Sequence, residues 1–377
     1  MKICFLSSMH PANDKRVHDK EARSLVEGGF DVRHICPGPD NTRQTVDGVQ
    51  IQYYVSGNGL RGRIFQLHRL YRLAVAENAD AYHCNEVDSW GVGVALKILN
   101  KKICVFDVHE HYPSTFAESR FPKWAQPAVA GLVRLVFRLF LPFTDRIVLA
   151  KRTVSDDFKC SDSKKVLVQN FTPMDGLSVA PDKSVRIATQ RLTIVHLGLF
   201  SKVRGWPQVL EAMAKTDDRV HLKVIGAFND GTLDEFQSTV SRLNLVNRIE
   251  VFEWMPFNEA FHHLTDADVG LIAFQPSIQN HVFAMPHKLF DYMAAGLSVL
   301  MPKQAIEVAP IVEETRCGLL IDPADPEDIA RGIEVLLKDP VESNLMGRRG
   351  RTAVIDTYNW ESEAMKLLRM YEELNLS

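Results

Sequence analysis

The stretch Met285-Pro286-His287-Lys288-Leu289-Phe290-Asp291-Tyr292-Met293-Ala294-Ala295-Gly296-Leu297-Ser298-Val299-Leu300 reads as an amphipathic helix stopped by a glycine and followed at once by a buried strand. Pro286 fits a first helical turn, where the N–H it lacks has no partner to lose. Gly296 fits a left-handed stop. Leu289, Phe290, Met293 and Ala294 share one face at helical spacing and suit packing on a sheet. Lys288 lies in the first turn and Asp291 one turn on. A helix N-terminus offers free N–H groups and partial positive charge, a natural seat for an anion. A carboxylate just beyond it can accept a hydrogen bond from a sugar hydroxyl. The segment is therefore either a plain packing helix or the seat of a nucleotide-sugar.

The same strand–helix rhythm runs outward from it. Strands are expected at 2–7, 31–36, 49–55, 80–84, 103–107, 145–150 and 165–169, with helical patterns at 14–28, 62–77 and 88–99. Residues 171–190 break the rhythm with turn-rich, polar sequence. A second series then follows, with strands at 192–198, 220–226, 248–252, 268–273, 297–301 and 318–321. Its helices are expected at 206–215, 231–243, 257–265, 287–295, 304–314 and 326–338, and a helical tail over 340–374 is interrupted at Tyr358-Asn359-Trp360-Glu361. Such alternation predicts an α/β chain of two doubly wound parallel-sheet domains in tandem. In open parallel sheets ligands bind beyond the carboxyl ends of the strands, so two facing sheets would make a cleft for a donor and an acceptor.

Bulk properties agree with this. A chain of 377 residues is too long for one ordinary core. Apolar residues at 46% and charged residues at 24% are those of a globular protein. A net charge of −3 argues against nucleic acid as the partner. The six cysteines are scattered, form no C-x-x-C pair and read as buried thiols in a reducing compartment. No signal-peptide pattern and no uninterrupted apolar run of membrane length is visible, so a cytoplasmic location is expected.

Four further motifs carry possible chemistry. Leu197-Gly198-Leu199-Phe200-Ser201-Lys202-Val203-Arg204-Gly205-Trp206-Pro207 joins a strand to a helix. Gly198 and Gly205 would let backbone approach a phosphate, and Arg204 could meet a diphosphate with its planar fork; a solvated basic loop is the plain alternative. Phe106-Asp107-Val108-His109-Glu110-His111-Tyr112-Pro113 ends a strand, but it lacks the helical H-E-x-x-H spacing that zinc would need. Tyr82-His83-Cys84-Asn85-Glu86 ends another strand, where His83 and Asn85 could touch substrate or cap and pack. The loop Ser7–Val17 brings His10, Asp14 and Arg16 to the carboxyl edge of the first sheet. It lacks G-x-G-x-x-G, which disfavours a dehydrogenase-type dinucleotide. Residues 61–73 and 123–140 are basic and amphipathic; core packing is expected, with interfacial membrane contact as the alternative.

Taken together these motifs resemble glycosyltransferase family 4, the retaining GT-B enzymes, over nearly the whole chain. Arg16-Val17 with Glu21-Ala22 and Gly28-Gly29-Phe30-Asp31-Val32 resembles the family's first helix and second strand. Asp107-Val108-His109-Glu110 is similar to its catalytic loop. Gly198–Gly205 is similar to its phosphate loop, and Ala267-Asp268-Val269-Gly270-Leu271 to one of its strands. Pro286–Gly296 resembles the helix that bears its E-x7-E motif, and Asn359-Trp360-Glu361 the start of its last helix. Three departures stand out. Phe283 holds the place of the first glutamate and Asp291 that of the second. Leu199 and Arg204 stand where the family has arginine and lysine. The glycine-rich turn after the first strand is absent.

The resemblance implies a GT-B fold, with an acceptor-side Rossmann-like domain at 1–172, a nucleotide-sugar domain at 173–355, and a helix at 356–377 crossing back to the first domain. It implies transfer of a sugar, with retention, from a UDP- or GDP-sugar to a glycan or lipid-linked glycan in cell-surface polysaccharide synthesis. Gly198, Arg204, Gly226, Met255, Phe283, Lys288 and Asp291 would bind the donor. Arg204 and Lys288 would stabilise the leaving diphosphate, and His109 would orient the sugar. His10, Asp14, Arg16, His83, Asn85 and Glu110 would line the acceptor side. No cofactor and no metal is expected, because side chains supply the cations. Peripheral contact with the inner membrane leaflet would suit a lipid-linked acceptor. A non-hydrolysing nucleotide-sugar epimerase and a non-catalytic GT-B partner subunit are the rival readings.

Overall fold

A computed structural model describes residues 1–57, 59–118, 121–174, 177 and 190–376. Most of the expected 171–190 boundary segment lies outside the described residues. The chain divides into two compact units: Met1–Asn170 together with the chain from Trp360 onward, and Phe171–Asn359. The return to the first unit falls at Trp360 rather than at 356. Asn359 explains the delay. Its side-chain amide donates to the Val354 and Ile355 carbonyls and closes the preceding helix, Pro340–Asp356, while its backbone bridges to Thr172.

The first unit is built on β1 (Lys2–Leu6), β2 (Asp31–Pro37), β3 (Arg43–Val46), β4 (Val49–Tyr54), β5 (Ala81–Cys84), β6 (Ile103–Val108), β7 (Arg146–Leu149) and β8 (Lys165–Leu167). These pair in the order β3-β4-β2-β1-β5-β6-β7-β8, all parallel except β3 against β4. One face is covered by helices Gly59–Glu77, Val87–Asn100 and Gln126–Phe140 over a core that includes Leu70, Trp90 and Phe137. The other face is covered by residues 17–27 and by the last helix, Trp360–Leu376. That helix is tied in by Trp360 Nε1 donating to Ser24 Oγ (2.9 Å) and by Glu363 accepting from the Gln169 amide (2.9 Å).

The second unit carries β9 (Leu192–Leu197), β10 (Val220–Ile225), β11 (Ile249–Phe252), β12 (Val269–Leu271), β13 (Ser298–Pro302) and β14 (Gly318–Ile321). Their order is β11-β10-β9-β12-β13-β14, all parallel. The break between β9, β10 and β11 on one side and β12, β13 and β14 on the other is the switch point at which such sheets bind ligands. All six cysteines are free thiols.

Several expectations need correction. The expected helix over 14–28 is a wide π-type turn over Val17–Ala22 followed by a short α-helix, Arg23–Glu27. The extra residue per turn brings Val17, His18, Lys20, Glu21 and Ala22 all into the interior. The expected strand over 268–273 ends at Leu271, which frees Ala273-Phe274-Gln275 as a loop. The helix expected from 304 starts at Ala309, where Pro310 fits its first turn. Core packing describes only one face of 123–140: Phe137 is in the core, with Val133 and Phe140 packed against it. Within helix Gln126–Phe140 only Phe137 is buried, and Trp124, Leu132, Leu135 and Leu139 face outward.

Candidate active site

In the second unit three glycines let loops meet. Gly198, just after β9, has φ +88° and donates its N–H to Ile225 O at 2.7 Å. Gly226 follows β10, and a Cβ there would lie 2.2 Å from Gly198 O, so the two backbones touch. Gly205 has φ +87° and packs against Ala273 O, where a Cβ would also come to 2.2 Å. Between Gly198 and Gly205 a single 3-10 turn, Lys202–Arg204, presents the arginine.

Arg204 and Lys288 converge on one aromatic ring. The Arg204 guanidinium carbon lies 5.2 Å from the Phe274 centroid, and Lys288 Nζ lies 5.3 Å from it. Lys288 Nζ also sits where a Cβ on Gly198 would be 3.7 Å away. Lys288 belongs to helix His287–Ala294, for which Pro286 is the N-cap rather than the first helical residue. Only 8% of Lys288 is exposed. Burial, then the Arg204 charge, depress its pKa well below the ordinary lysine value, against a weaker upward pull from Asp291. Burial also lowers Arg204. Among the described residues neither cation has a carboxylate within ion-pair distance. Two like charges held together in a low-dielectric setting without a counter-ion form a site that an anion would complete.

Three side chains here went unread in the sequence. His196, at the end of β9, is buried; Nε2 lies 3.0 Å from Leu199 O and 3.5 Å from Lys288 Nζ. Burial, then Lys288, hold it neutral. His281 stacks on Phe274 at 4.9 Å, and burial lowers its pKa too. Phe274 itself is the ring on which both cations rest. Nothing in an Ala-Phe-Gln tripeptide marks it out, because the early end of β12 is set by tertiary packing.

The remaining donor-side candidates are more dispersed. Asp291 is 2% exposed and accepts a hydrogen bond from Thr172 Oγ1. Phe283 caps the short helix Gln279–Val282 and is half-buried. Met255 is half-buried in the loop after β11, beside an exposed Trp254.

In the first unit the carboxyl edge of the sheet holds two histidines, each backed by a buried carboxylate. His10 Nδ1 is 2.7 Å from Glu86 Oε1. Glu86 also accepts from the Ser8, Met9 and His10 amides at 2.8–2.9 Å. Burial would raise Glu86, but His10 and these amides outweigh it and hold it at about 2. His10 is correspondingly raised against its own burial. His109 Nε2 is hydrogen-bonded to Asp107 Oδ2, and the His10 and His109 ring centres are 5.0 Å apart.

Of the other acceptor-side candidates, Arg16, His83 and Asn85 are interior residues, while Asp14 and Glu110 are half-buried. Arg16 is an interior residue: its Nη2 lies 3.1 Å from Asp107 and 2.8 Å from Glu21, and its Nη1 donates to Val168 O. His83 is fully buried, with Nδ1 2.7 Å from Tyr371 Oη of the last helix. Asn85 is fully buried and donates to Ser7 Oγ. Asp14 receives the Arg16 and Val17 amides at 2.9 Å and starts the π-type turn. Glu110 accepts from Thr115 Oγ1 at 3.1 Å. His111 pairs with Asp157 at 3.0 Å, so the His-Glu-His run does not converge. Glu21, His83 and Asp107 place ligand-type atoms within 4.8 Å of one another. The Arg16 guanidinium already supplies the positive charge in that buried cluster, which disfavours a metal cation there.

Two family models match the sequence: the one described as Glycosyltransferase Family 4 over residues 17–170, and Glycosyl transferases group 1 over residues 181–353. The chain belongs to glycosyltransferase family 4. The MMP alpha-(1->4)-mannosyltransferase of Mycolicibacterium hassiacum is 20% identical over 264 residues, which cover 66% of this chain and 60% of that protein. The chain thus spans less than two thirds of that relative. Among solved structures, sucrose-phosphate synthase from Thermosynechococcus elongatus matches with a TM-score of 0.76 at 16% identity, covering 100% of this chain and 99% of the other. Anabaena HepE in complex with UDP-glucose matches with a TM-score of 0.72 at 14% identity, covering 99% and 100%. At such identities these likenesses establish the fold, which is GT-B: two Rossmann-like units of mostly parallel sheet.

Proposed function

We propose that this family 4 protein is a retaining glycosyltransferase that moves a hexose from a UDP- or GDP-sugar to a glycan or lipid-linked glycan, in the cytoplasm, for cell-surface polysaccharide synthesis. One observation carries the donor reading: Arg204 and Lys288 meet over Phe274 beside Gly198, with no carboxylate pairing them among the described residues. Departure of a nucleoside diphosphate builds negative charge on its phosphate oxygens. Preorganised cations aimed there stabilise the transition state more than the ground state. In this reading Arg204 grips the diphosphate with its planar fork and Lys288 acts as a point charge. The backbones at Gly198 and Gly226 lie close to the phosphates, and the loop carrying Met255 meets the base. Asp291 would take a ribose hydroxyl by exchanging its bond from Thr172, and Phe283 would sit against the transferred sugar. His109, fixed by Asp107, would orient a sugar hydroxyl, with His10 as its acceptor-side neighbour. In this reading the two cations supply the positive charge that the leaving group needs, without a divalent metal. Same-face attack is the mechanism we favour for retention, as the family resemblance implies.

A nucleotide-sugar panel tests this by following nucleoside-diphosphate release with and without acceptor. Acceptor-dependent release is the expected result. A changed sugar without release would mean an epimerase, and saturable binding alone a partner subunit. Activity is expected to survive dialysis against a chelator; loss on dialysis with recovery on adding a divalent ion would overturn the metal-free mechanism.

A further inference from the structure

We propose that His281 grips the transferred sugar: its imidazole Nε2 accepts a hydrogen bond from a hydroxyl of the hexose carried by the diphosphate. The inference rests on the donor reading of Arg204 and Lys288 given above. Phe274 gathers three side chains. Besides the two cations, the His281 ring stacks on it with centroids 4.9 Å apart and planes at 24°. His281 Nδ1 lies 3.2 Å from Gln275 O. Gln275 is itself held: its N–H donates to Val203 O at 3.0 Å, and its side-chain amide donates to Ala273 O at 3.0 Å and Pro323 O at 2.8 Å. Val203 directly precedes Arg204. Two hydrogen bonds through Gln275 therefore join the loop of the candidate diphosphate cation to the histidine.

The Gln275 carbonyl fixes the tautomer. A carbonyl oxygen only accepts, so Nδ1 carries the proton and Nε2 of the neutral ring keeps its lone pair. Burial lowers the pKa of this ring; the Gln275 carbonyl pulls the other way, and the Arg204 and Lys288 charges add to the lowering. The ring is therefore neutral at pH 7. Nε2 has no partner among the described residues. A lone pair cannot bind phosphate oxygens, which also only accept, but it can take a hydroxyl. In a nucleotide-sugar the hydroxyls flanking the diphosphate belong to the ribose and to the transferred sugar. Asp291 is the candidate for the ribose, which leaves the sugar for His281. Phe283, two residues on, has no polar side-chain atom. A glutamate at 283 would supply an acceptor; here His281 supplies it.

Calorimetric titration of the full chain and its variants His281→Phe and His281→Gln tests this. Phenylalanine keeps the ring stack and lacks both nitrogens, whereas glutamine brings back a carbonyl acceptor. UDP and GDP should bind His281→Phe as tightly as the wild type. UDP-glucose or GDP-mannose, whichever the wild type binds, should bind His281→Phe about tenfold more weakly, and His281→Gln should recover part of that loss. Among monodeoxy analogues of the same donor, one should bind wild type and His281→Phe equally, because it lacks the hydroxyl that Nε2 accepts from. An equal loss for nucleotide and nucleotide-sugar in His281→Phe would give the ring a purely structural part and overturn the proposal. Unchanged affinity for both would overturn it too, as would a loss that persists with every monodeoxy analogue. A wild type that binds neither UDP nor GDP would bring down the donor reading itself, and this inference with it.

Discussion

Lys288 joins function and stability in one side chain. Its charged form is buried near Arg204, and burial has already lowered its pKa. The folded protein therefore holds this proton less tightly than the unfolded chain. Folding is penalised at every pH below the depressed value, and the penalty fades as pH rises toward the ordinary lysine value of 10.5. Lys288→Met should relieve it, raising the melting temperature by about 2–4 °C while removing donor affinity; a lower melting temperature would show that the charge is compensated. The same shift predicts that kcat/KM falls on the alkaline side well below pH 10.5, and that Lys288→Arg moves this limb upward. A limb unmoved by the arginine would assign it to another group. Much of this was legible in the sequence, since Pro286, Lys288 and Gly296 announced a helix start, a cation and a stop. Asp291 read just as plainly, but its bond from Thr172 depends on a contact 119 residues away in sequence.

At the scale of elements, the donor candidates depend on where strands stop. β12 ends at Leu271 and so releases Phe274, and β9 and β10 are each followed by a glycine, the two backbones touching. Gly226→Ala would drive a methyl group into Gly198 O from a backbone at φ +148°. It should cost about 1–3 kcal/mol in stability and lower donor affinity together with it; an unchanged melting temperature would mean that the two loops can part freely. Periodicity found nearly every helix and strand of the parallel sheets, because buried strands are short apolar runs and their crossover helices are amphipathic. It missed β3, whose residues are all exposed. Asp47-Gly48, both at positive φ, was the available signal for that hairpin. It left Gln126–Phe140 between two readings because apolar spacing cannot tell a buried face from an exposed one, and the helix has both.

For the whole molecule, buried histidines set the response to acid. His34, fully buried and bonded to Ser7 Oγ, is lowered to about 3, and His83 and His196 are lowered by burial as well. Each binds its proton more readily in the unfolded chain, whose value is near 6.5. Their stabilisation is present above that pH and is lost as pH falls toward the folded values. The melting temperature should therefore fall steadily as pH drops below about 6.5; a level curve from pH 6.5 down to 5 would mean that these rings are solvated. The two-unit α/β plan could be read from the sequence because it repeats locally, whereas the interior cluster of Arg16, Glu21, His83 and Asp107 could not, since it is assembled from three elements far apart in sequence: the π-type turn, β5 and β6. The central claim is that Arg204 and Lys288 bind a diphosphate without a metal. Calorimetric titration of UDP and GDP in the presence of chelator, into wild type, Arg204→Ala and Lys288→Ala, tests it most directly. The account predicts saturable binding of one nucleotide by the wild type and a loss of about 1.5–3 kcal/mol in each variant; equal affinity in all three proteins, or binding that needs a divalent ion, would contradict it.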